Sequence, residues 1–348
     1  MSILVTGGAG FIGSALVRHL VQHTHYTIVN VDKLNYVAHR AALDSVRNHS
    51  QHVFYPLDIR NQHELLQIMR RHKPQAVFHL AAESHVDRSI TGPEDFIQSN
   101  IVGTFRLLEA VRAYWAELPV KEQVAFRFIH VSTDEVYGDL GLEGQPPVKE
   151  HAAYLPSSPY SASKAASDHL VQAWYRTYEI PVILTHCTNN YGPYQYPEKL
   201  IPFMIDRALR RQPLTVYGPG HQVRDWIHVD DHVQALHLIW ERGRIGQSYH
   251  VSAHQPISNI ELIHNICALL DELAPMKASE AKAGQGYAQL IKHVADRPGH
   301  DQRYALDASK LRQELGWAPK IDLAAGLSDT VAWYYQFFKA GNSYRYRQ

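Results

Sequence analysis

The first half of the chain alternates between two hydrophobic patterns. Short continuous apolar runs at Ile3–Val5, Thr27–Val31, His52–Tyr55, Ala76–Leu80 and Phe126–Val131 predict buried parallel strands covered on both faces. Between them, Phe11–His23, Gln62–His72 and Ile101–Trp115 carry apolar residues at helical spacing. Regular strand–helix alternation predicts an α/β fold, a Rossmann-like doubly wound parallel sheet. A further strand, Val182–His186, follows a predicted helix at Tyr160–Tyr178 and closes a first domain at about residues 1–186.

Beyond that point the pattern changes. Pro and Gly recur in Tyr191–Pro197, Gln212–Gly220 and Arg297–Gly299, and helices are predicted at Leu200–Arg210, Val229–Arg242, Asn259–Leu270 and Ala308–Leu315. Residues 187–348 read as a smaller mixed α/β domain that closes over a ligand, with segments of the two domains interleaved. Glu280–Gly286 reads as a mobile loop.

Composition narrows the function classes. Among 348 residues, Lys+Arg and Asp+Glu balance at 34 each, so no bulk field draws the chain to nucleic acid or an anionic membrane. No apolar run approaches the length of a membrane span. Two cysteines, Cys187 and Cys267, form no disulfide framework and suit a reducing cytoplasm. The 23 histidines are scattered without metal-ligand spacing, so they read as surface and packing residues and no metal is expected.

Candidate chemistry starts at the first strand. Gly7, Gly10 and Gly13 follow it directly, and Phe11 and Ile12 open the next helix. A tight turn, close backbone approach to a pyrophosphate and helix–sheet packing exclude side chains at three such points, and the helix N-terminus offers free N–H groups. Asp32 ends the second strand, 19 residues after Gly13. A carboxylate there accepts hydrogen bonds from ribose hydroxyls and repels a 2′-phosphate, which favours NAD over NADP; helix capping is its plainer role. Asp58 and Ile59 follow the third strand, where the adenine is expected.

Thr133, Asp134 and Glu135 follow the Phe126–Val131 strand, at the carboxyl end of the sheet, where open α/β folds bind ligands. Tyr160 and Lys164 stand one helical turn apart. An ammonium and a positively charged nicotinamide would both favour the phenolate, so Tyr160 is the expected base for a substrate hydroxyl. Adjacent carboxyl groups at 134 and 135 can supply an acid and a base if their environments separate their pKa values.

A glycine-rich loop followed by Tyr-x-x-x-Lys resembles the extended short-chain dehydrogenase/reductases that act on nucleotide sugars. The segments 80–89, 133–138, 189–194, 197–202, 224–226 and 296–301 sharpen the resemblance to that family's dTDP-glucose 4,6-dehydratases. It implies oxidation at C4 by NAD with Tyr160 as base, removal of the C5 proton by Glu135, and departure of the C6 hydroxyl with a proton from Asp134. Hydride then returns to C6, and Thr133 bonds the C4 oxygen. It also implies cofactor contacts at Lys33, Leu34, Asn35, Leu80, Ala81, Ala82, Ser99 and Asn190. Substrate contacts are implied at Ser84, Asn189, Lys199, Leu200, Thr215, Tyr217, Arg224, Asn259, Arg297 and His300. Arg224 and Arg297 are the expected diphosphate ligands, and Tyr217 either runs past the base or belongs to the core. A homodimer is implied as well.

The segment 32–40 departs from the family's usual Leu-Thr-Tyr-Ala-Gly-Asn and predicts a differently shaped loop beside the adenosine. The regions 255–258 and 275–286 also differ, which leaves a UDP- or other nucleoside diphosphate hexose open as substrate.

Overall fold

The computed structural model describes residues 1–35, 38, 40–142, 144–277 and 286–342. Tyr36, Val37 and His39 of the expected adenosine-side loop, and all of the 280–286 loop but Gly286, lie outside the described residues. Among the described residues twelve strands occur in chain order: β1 Ser2–Thr6, β2 Thr27–Asp32, β3 His52–Pro56, β4 Pro74–His79, β5 Arg127–Thr133, β6 Val182–Cys187, β7 Asn189–Tyr191, β8 Leu214–Tyr217, β9 Val223–His228, β10 Ser248–Val251, β11 Pro256–Ser258 and β12 Ile291–Val294.

Seven of them form one sheet in the order β10-β6-β5-β4-β1-β2-β3, and every pairing in it is parallel. The order reverses between β1 and β4, which opens a crevice at their carboxyl ends. Side-chain alternation splits each strand between two cores. Leu4 and Val77 join a cluster with Leu65 and Met69, Leu107 and Val111, and Val171 of the Gln62–His72, Thr104–Ala116 and Pro159–Tyr178 helices. Ile3, Val5 and Phe78 face Leu16, Leu20, Val233 and Leu236 of the Phe11–His23 and Val229–Arg242 helices. Each such fully buried side chain stabilises by roughly 1.5–3 kcal/mol, so both faces hold the strand ends in register.

β10 comes from the far half of the chain and extends the sheet beside β6. The smaller part holds the three-stranded β11-β9-β7 and the two-stranded β12-β8 sheets, packed with the Leu200–Leu209, Asn259–Leu273 and Leu323–Lys339 helices around Ile205, Leu262, Ile266, Leu327 and Val331.

Two local departures bear on the site. The expected Ile101–Trp115 helix is regular only over Thr104–Ala116, and Ile97–Gly103 runs as a wider π turn. There the Asn100 side chain is tied to Glu83 N at 2.8 Å, Glu83 O at 3.0 Å and Ser163 Oγ at 2.8 Å, which holds the turn against the neighbouring segments. β5 also runs two residues further than its apolar run, because Ser132 and Thr133 are buried through hydrogen bonds. No described helix is long and apolar enough to cross a membrane.

Candidate active site

One cavity of about 330 Å³ runs along the crevice from Gly7 to Trp226, within the range that holds small-molecule ligands. Its first half is the glycine turn. Gly7 adopts φ +73°, and a Cβ at Gly13 would lie 2.1 Å from Gly7 O. Gly10 caps the following helix without any side-chain hydrogen bond, which leaves the first-turn N–H groups to a phosphate. Gly13→Ala is therefore expected to weaken dinucleotide binding about ten- to hundredfold, from an overpacking cost of about 1–3 kcal/mol. Equilibrium titration of NAD into the variant measures it.

At the end of β2, Asp32 Oδ2 accepts from Ala9 N at 3.0 Å and Oδ1 from Leu34 N at 2.8 Å. Burial raises its pKa and the two amides pull it back. Each oxygen keeps a lone pair for a ribose hydroxyl. Lys33 Nζ is engaged by Glu83 at 2.9 Å and Ser99 at 3.0 Å, and Asn35 reaches the same Glu83 oxygen at 3.1 Å. Gly7, Gly10, Phe11, Ile12, Gly13, Asp32, Lys33, Asn35, Asp58, Ile59, Leu80, Ala81, Ala82 and Ser99 all line this half. Leu34 instead packs against the core beside the Phe11–His23 helix. Asp58 is forked by Arg60 at 2.9 to 3.2 Å. A cradle without side chains, open N–H groups and a ribose-facing carboxylate fit NAD.

The second half carries the reactive groups. Thr133 Oγ1 donates to Asp134 Oδ1 at 3.1 Å and accepts from Glu135 N at 3.3 Å, so one hydroxyl orders both carboxyl residues in the short turn after β5. Asp134 Oδ2 is buried with no hydrogen-bond partner among the described residues. Burial first, and the Glu135 charge second, push the Asp134 carboxyl up to about 8. Burial raises Glu135 too, but Lys199, Arg224 and Arg297 all oppose it. Burial thus raises both carboxyl groups; the Glu135 charge adds to the rise at Asp134, whereas Lys199, Arg224 and Arg297 hold it back at Glu135.

A capping box of Ser158 and Ser161 with Pro159 at the first helical position starts the helix at the cavity wall and seats Tyr160 in its first turn. Burial first, then the Glu135 charge, raise the Tyr160 phenol well above its ordinary value. Lys164 is itself buried and gives its Nζ to Val131 O at 2.8 Å. Cys187 lines the cavity, but burial lifts its thiol to about 12. Its Sγ faces Ser132 O at 3.6 Å, the bond of a packing residue.

Ser84, Asn189, Asn190, Lys199 and Leu200 line the same cavity. Lys199 Nζ donates to Ser84 O at 2.5 Å, and Asn190 is held by Thr188 O at 2.9 Å and His232 at 2.8 Å. The remaining expected substrate residues gather outside the cavity wall. Arg297 pairs with Asp87 at 2.7 Å, Tyr217 OH donates to the other Asp87 oxygen at 3.2 Å, and His300 sits 2.6 Å from Asp296. Tyr217 is 40% exposed, which removes it from the core. Thr215 is exposed on the same strand face, and Asn259 opens a helix with its Oδ1 buried and without a partner among the described residues.

Arg224, the other expected diphosphate ligand, is anchored on backbone. Its guanidinium donates to the Val223, Asp301 and Gln302 carbonyls at 2.8 to 3.3 Å and stacks on Tyr304. It therefore holds the 301–302 segment, and its charge acts on Asp134 and Glu135. Asp87, which links Arg297 to Tyr217, was missed by sequence reasoning although it lies within the 80–89 motif. Its one visible signal was an acidic residue inside an otherwise ligand-facing run.

The family described as GDP-mannose 4,6 dehydratase matches residues 4–330. A dTDP-glucose 4,6-dehydratase of Haemophilus influenzae is 53% identical over 334 residues, 96% of this chain and 98% of that protein. The solved dTDP-glucose 4,6-dehydratase of Streptomyces venezuelae, with NAD and TYD bound, superposes with TM-score 0.86 at 40% identity, covering 97% of each chain. The UDP-glucose 4-epimerase of Thermotoga maritima, solved with UDP-glucose, gives TM-score 0.81 at 30% identity, covering 97% of this chain and all of that one.

Proposed function

Since the chain belongs to the GDP-mannose 4,6 dehydratase family, we propose that it is a lyase that converts dTDP-glucose to dTDP-4-keto-6-deoxyglucose and water. The observation that carries this reading is the Asp134–Glu135 pair on the cavity wall with Tyr160, two adjacent carboxyl groups of which the first is buried and the second half-buried, both raised by burial and with three cations opposing the rise at Glu135. An epimerase, which oxidises and re-reduces one carbon, needs no such pair. A dehydratase must take a proton from one carbon and hand one to the hydroxyl leaving its neighbour.

NAD, when bound, supplies the hydride acceptor for C4, the hydride donor for C6 and a positive ring beside the phenol. Tyr160 takes the C4 hydroxyl proton, with Lys164 behind it. Thr133, whose hydroxyl donates to Asp134 Oδ1 in this structure, turns that proton to the C4 oxygen when the sugar is bound. Glu135, whose ionised form Lys199, Arg224 and Arg297 favour, removes the C5 proton that the C4 ketone has acidified. Asp134, protonated below about pH 8, gives its proton to the C6 hydroxyl as it leaves, so water departs. C5 then regains a proton. Asn189, Lys199 and Leu200 hold the hexose side, and Arg297, Tyr217, His300, Thr215 and Asn259 hold the nucleotide.

The test is dTDP-glucose deuterated at C4, incubated with the protein in ordinary water. Label moved to C6 of a 4-keto-6-deoxy sugar is the expected result. Label retained at C4 would mark an epimerase, and unchanged sugar a binding protein. We further place the enzyme in the cytoplasm, which suits its two free buried thiols. A homodimer built on the Thr104–Ala116 and Pro159–Tyr178 helices is also proposed, and a monomer mass by light scattering would overturn it.

A further inference from the structure

Beneath the reactive groups lies a buried carboxylate that the mechanism above does not use. Asp168 follows Lys164 by one turn of the same helix and is fully buried. His130 Nε2 lies 2.9 Å from its Oδ1, while Ser132 Oγ donates to Oδ2 at 2.7 Å and His186 Nε2 lies 3.1 Å from Oδ2. These partners come from two adjacent strands, and Ser132 and His186 are direct register partners of β5 and β6. Lys164 Nζ meanwhile holds Val131 O. One helix thus grips three consecutive residues, 130, 131 and 132, immediately before Thr133, Asp134 and Glu135.

Nδ1 of His130 and of His186 is buried without a partner among the described residues, so Nε2 is the nitrogen through which each ring reaches Asp168. Burial lowers His130 to about 4. A buried charge is costly unless it is paired, and Lys164 stands one turn away on the same helix.

We propose that Asp168 is the counter-charge that keeps the buried Lys164 an ammonium and, through His130, Ser132 and His186, a positioning residue for the end of β5. The proposal rests on the reading of Lys164 as the partner of Tyr160.

The groups facing the pair come from every neighbouring element. Tyr137 and Tyr154 feel the Asp168 charge, and their phenols bond His250 and His186 at 2.8 Å. His79 of β4, His130 of β5 and Cys187 of β6 are coupled electrostatically to Lys164. Glu150 stands further out, accepting from His250 N at 3.3 Å. Against the burial that lowers Lys164, Asp168 is the largest opposing influence.

Asp168→Asn removes the charge and keeps the size. Lysine Cε carbons are followed by 13C NMR against pH, with the Lys164 signal identified by its loss in Lys164→Arg. The single-turnover rate of C4 oxidation, in which Asp134 takes no part, is followed in parallel. The Lys164 midpoint and the alkaline limb of that rate are expected to fall by about one pH unit or more, with little change in KM. Ser132→Ala deletes one bond, keeps the charge and should leave both where they are. An unmoved Lys164 midpoint in Asp168→Asn, or an equal shift in Ser132→Ala, overturns the proposal. Should Asp168→Asn fail to fold, the carboxyl carbon of Asp168 in the wild-type protein decides: ionised across the neutral range supports the proposal and protonated overturns it. The NMR readouts need no substrate, so a wild-type protein inert toward dTDP-glucose would sink the proposed function and leave the Lys164 titration interpretable.

Discussion

Glu135→Gln is expected to cut formation of the 4-keto-6-deoxy product by about 10²–10⁴-fold, the scale of a lost general base, while oxidation at C4 survives. The amide fills the same space and keeps the backbone bond from Glu135 N to Thr133 Oγ1, but it cannot take a proton. Lys199, Arg224 and Arg297, which oppose the rise that burial imposes on the native carboxyl, are left in place. In a rapid-mixing experiment the variant should therefore accumulate oxidised sugar together with reduced-nicotinamide absorbance, without solvent exchange at C5. Tyr160→Phe should behave in the opposite way, slowing C4 oxidation itself. Equal loss of C4 oxidation in the two variants would contradict the assigned roles.

For Asp134→Asn, activity and stability should move in opposite directions. Product formation should fall by about 10²–10⁴-fold, because the C6 hydroxyl loses its proton donor, while C5 exchange with solvent stays measurable. Its absence would count against the acid role. In the native protein, kcat/KM should decline as pH rises through about 8, where the substrate-free carboxyl loses its proton, and that limb should vanish in the variant.

The stability effect follows from the same shift. Asp134 is raised from 3.8 to about 8 by burial and by Glu135, so folding favours its protonated form. That contribution is present in full below the unfolded pKa and is lost as pH rises through the folded one. Above about pH 8 the native fold carries a buried charge whose Oδ2 has no hydrogen-bond partner among the described residues. The asparagine variant should thus melt higher than wild type at alkaline pH, with the gap closing toward acid. An equal melting temperature throughout would show that the carboxyl is not held in its neutral form.

Much of the sheet was legible because its requirements are local. Buried parallel strands need unbroken apolar runs, and β1, β2 and β3 lie within one residue of those runs. β5 was read two residues short, since Ser132 and Thr133 look polar in sequence and are buried only because Asp168 and Asp134 receive their hydroxyls. The Leu323–Lys339 helix was overlooked although Leu327, Val331 and Tyr334 recur at helical spacing and are buried on one face. That signal was available in the residues themselves.

The chemical inventory belongs to the sequence. A turn that admits no Cβ at Gly13, a tyrosine one turn from a lysine, and two adjacent carboxyl groups at a strand end are short-range statements, complete within a few residues. What the folded chain alone decided is nonlocal. Packing brings β10 back beside β6 from the far half of the chain, sets Asp87 against Arg297 and Tyr217 across more than a hundred residues, and turns Arg224 onto backbone carbonyls. It also raises Asp134 and Glu135 by burial and lifts the Tyr160 phenol. Those outcomes depend on burial and on charges contributed by distant segments, and a pKa or an ion pair has no value until the three-dimensional surroundings exist.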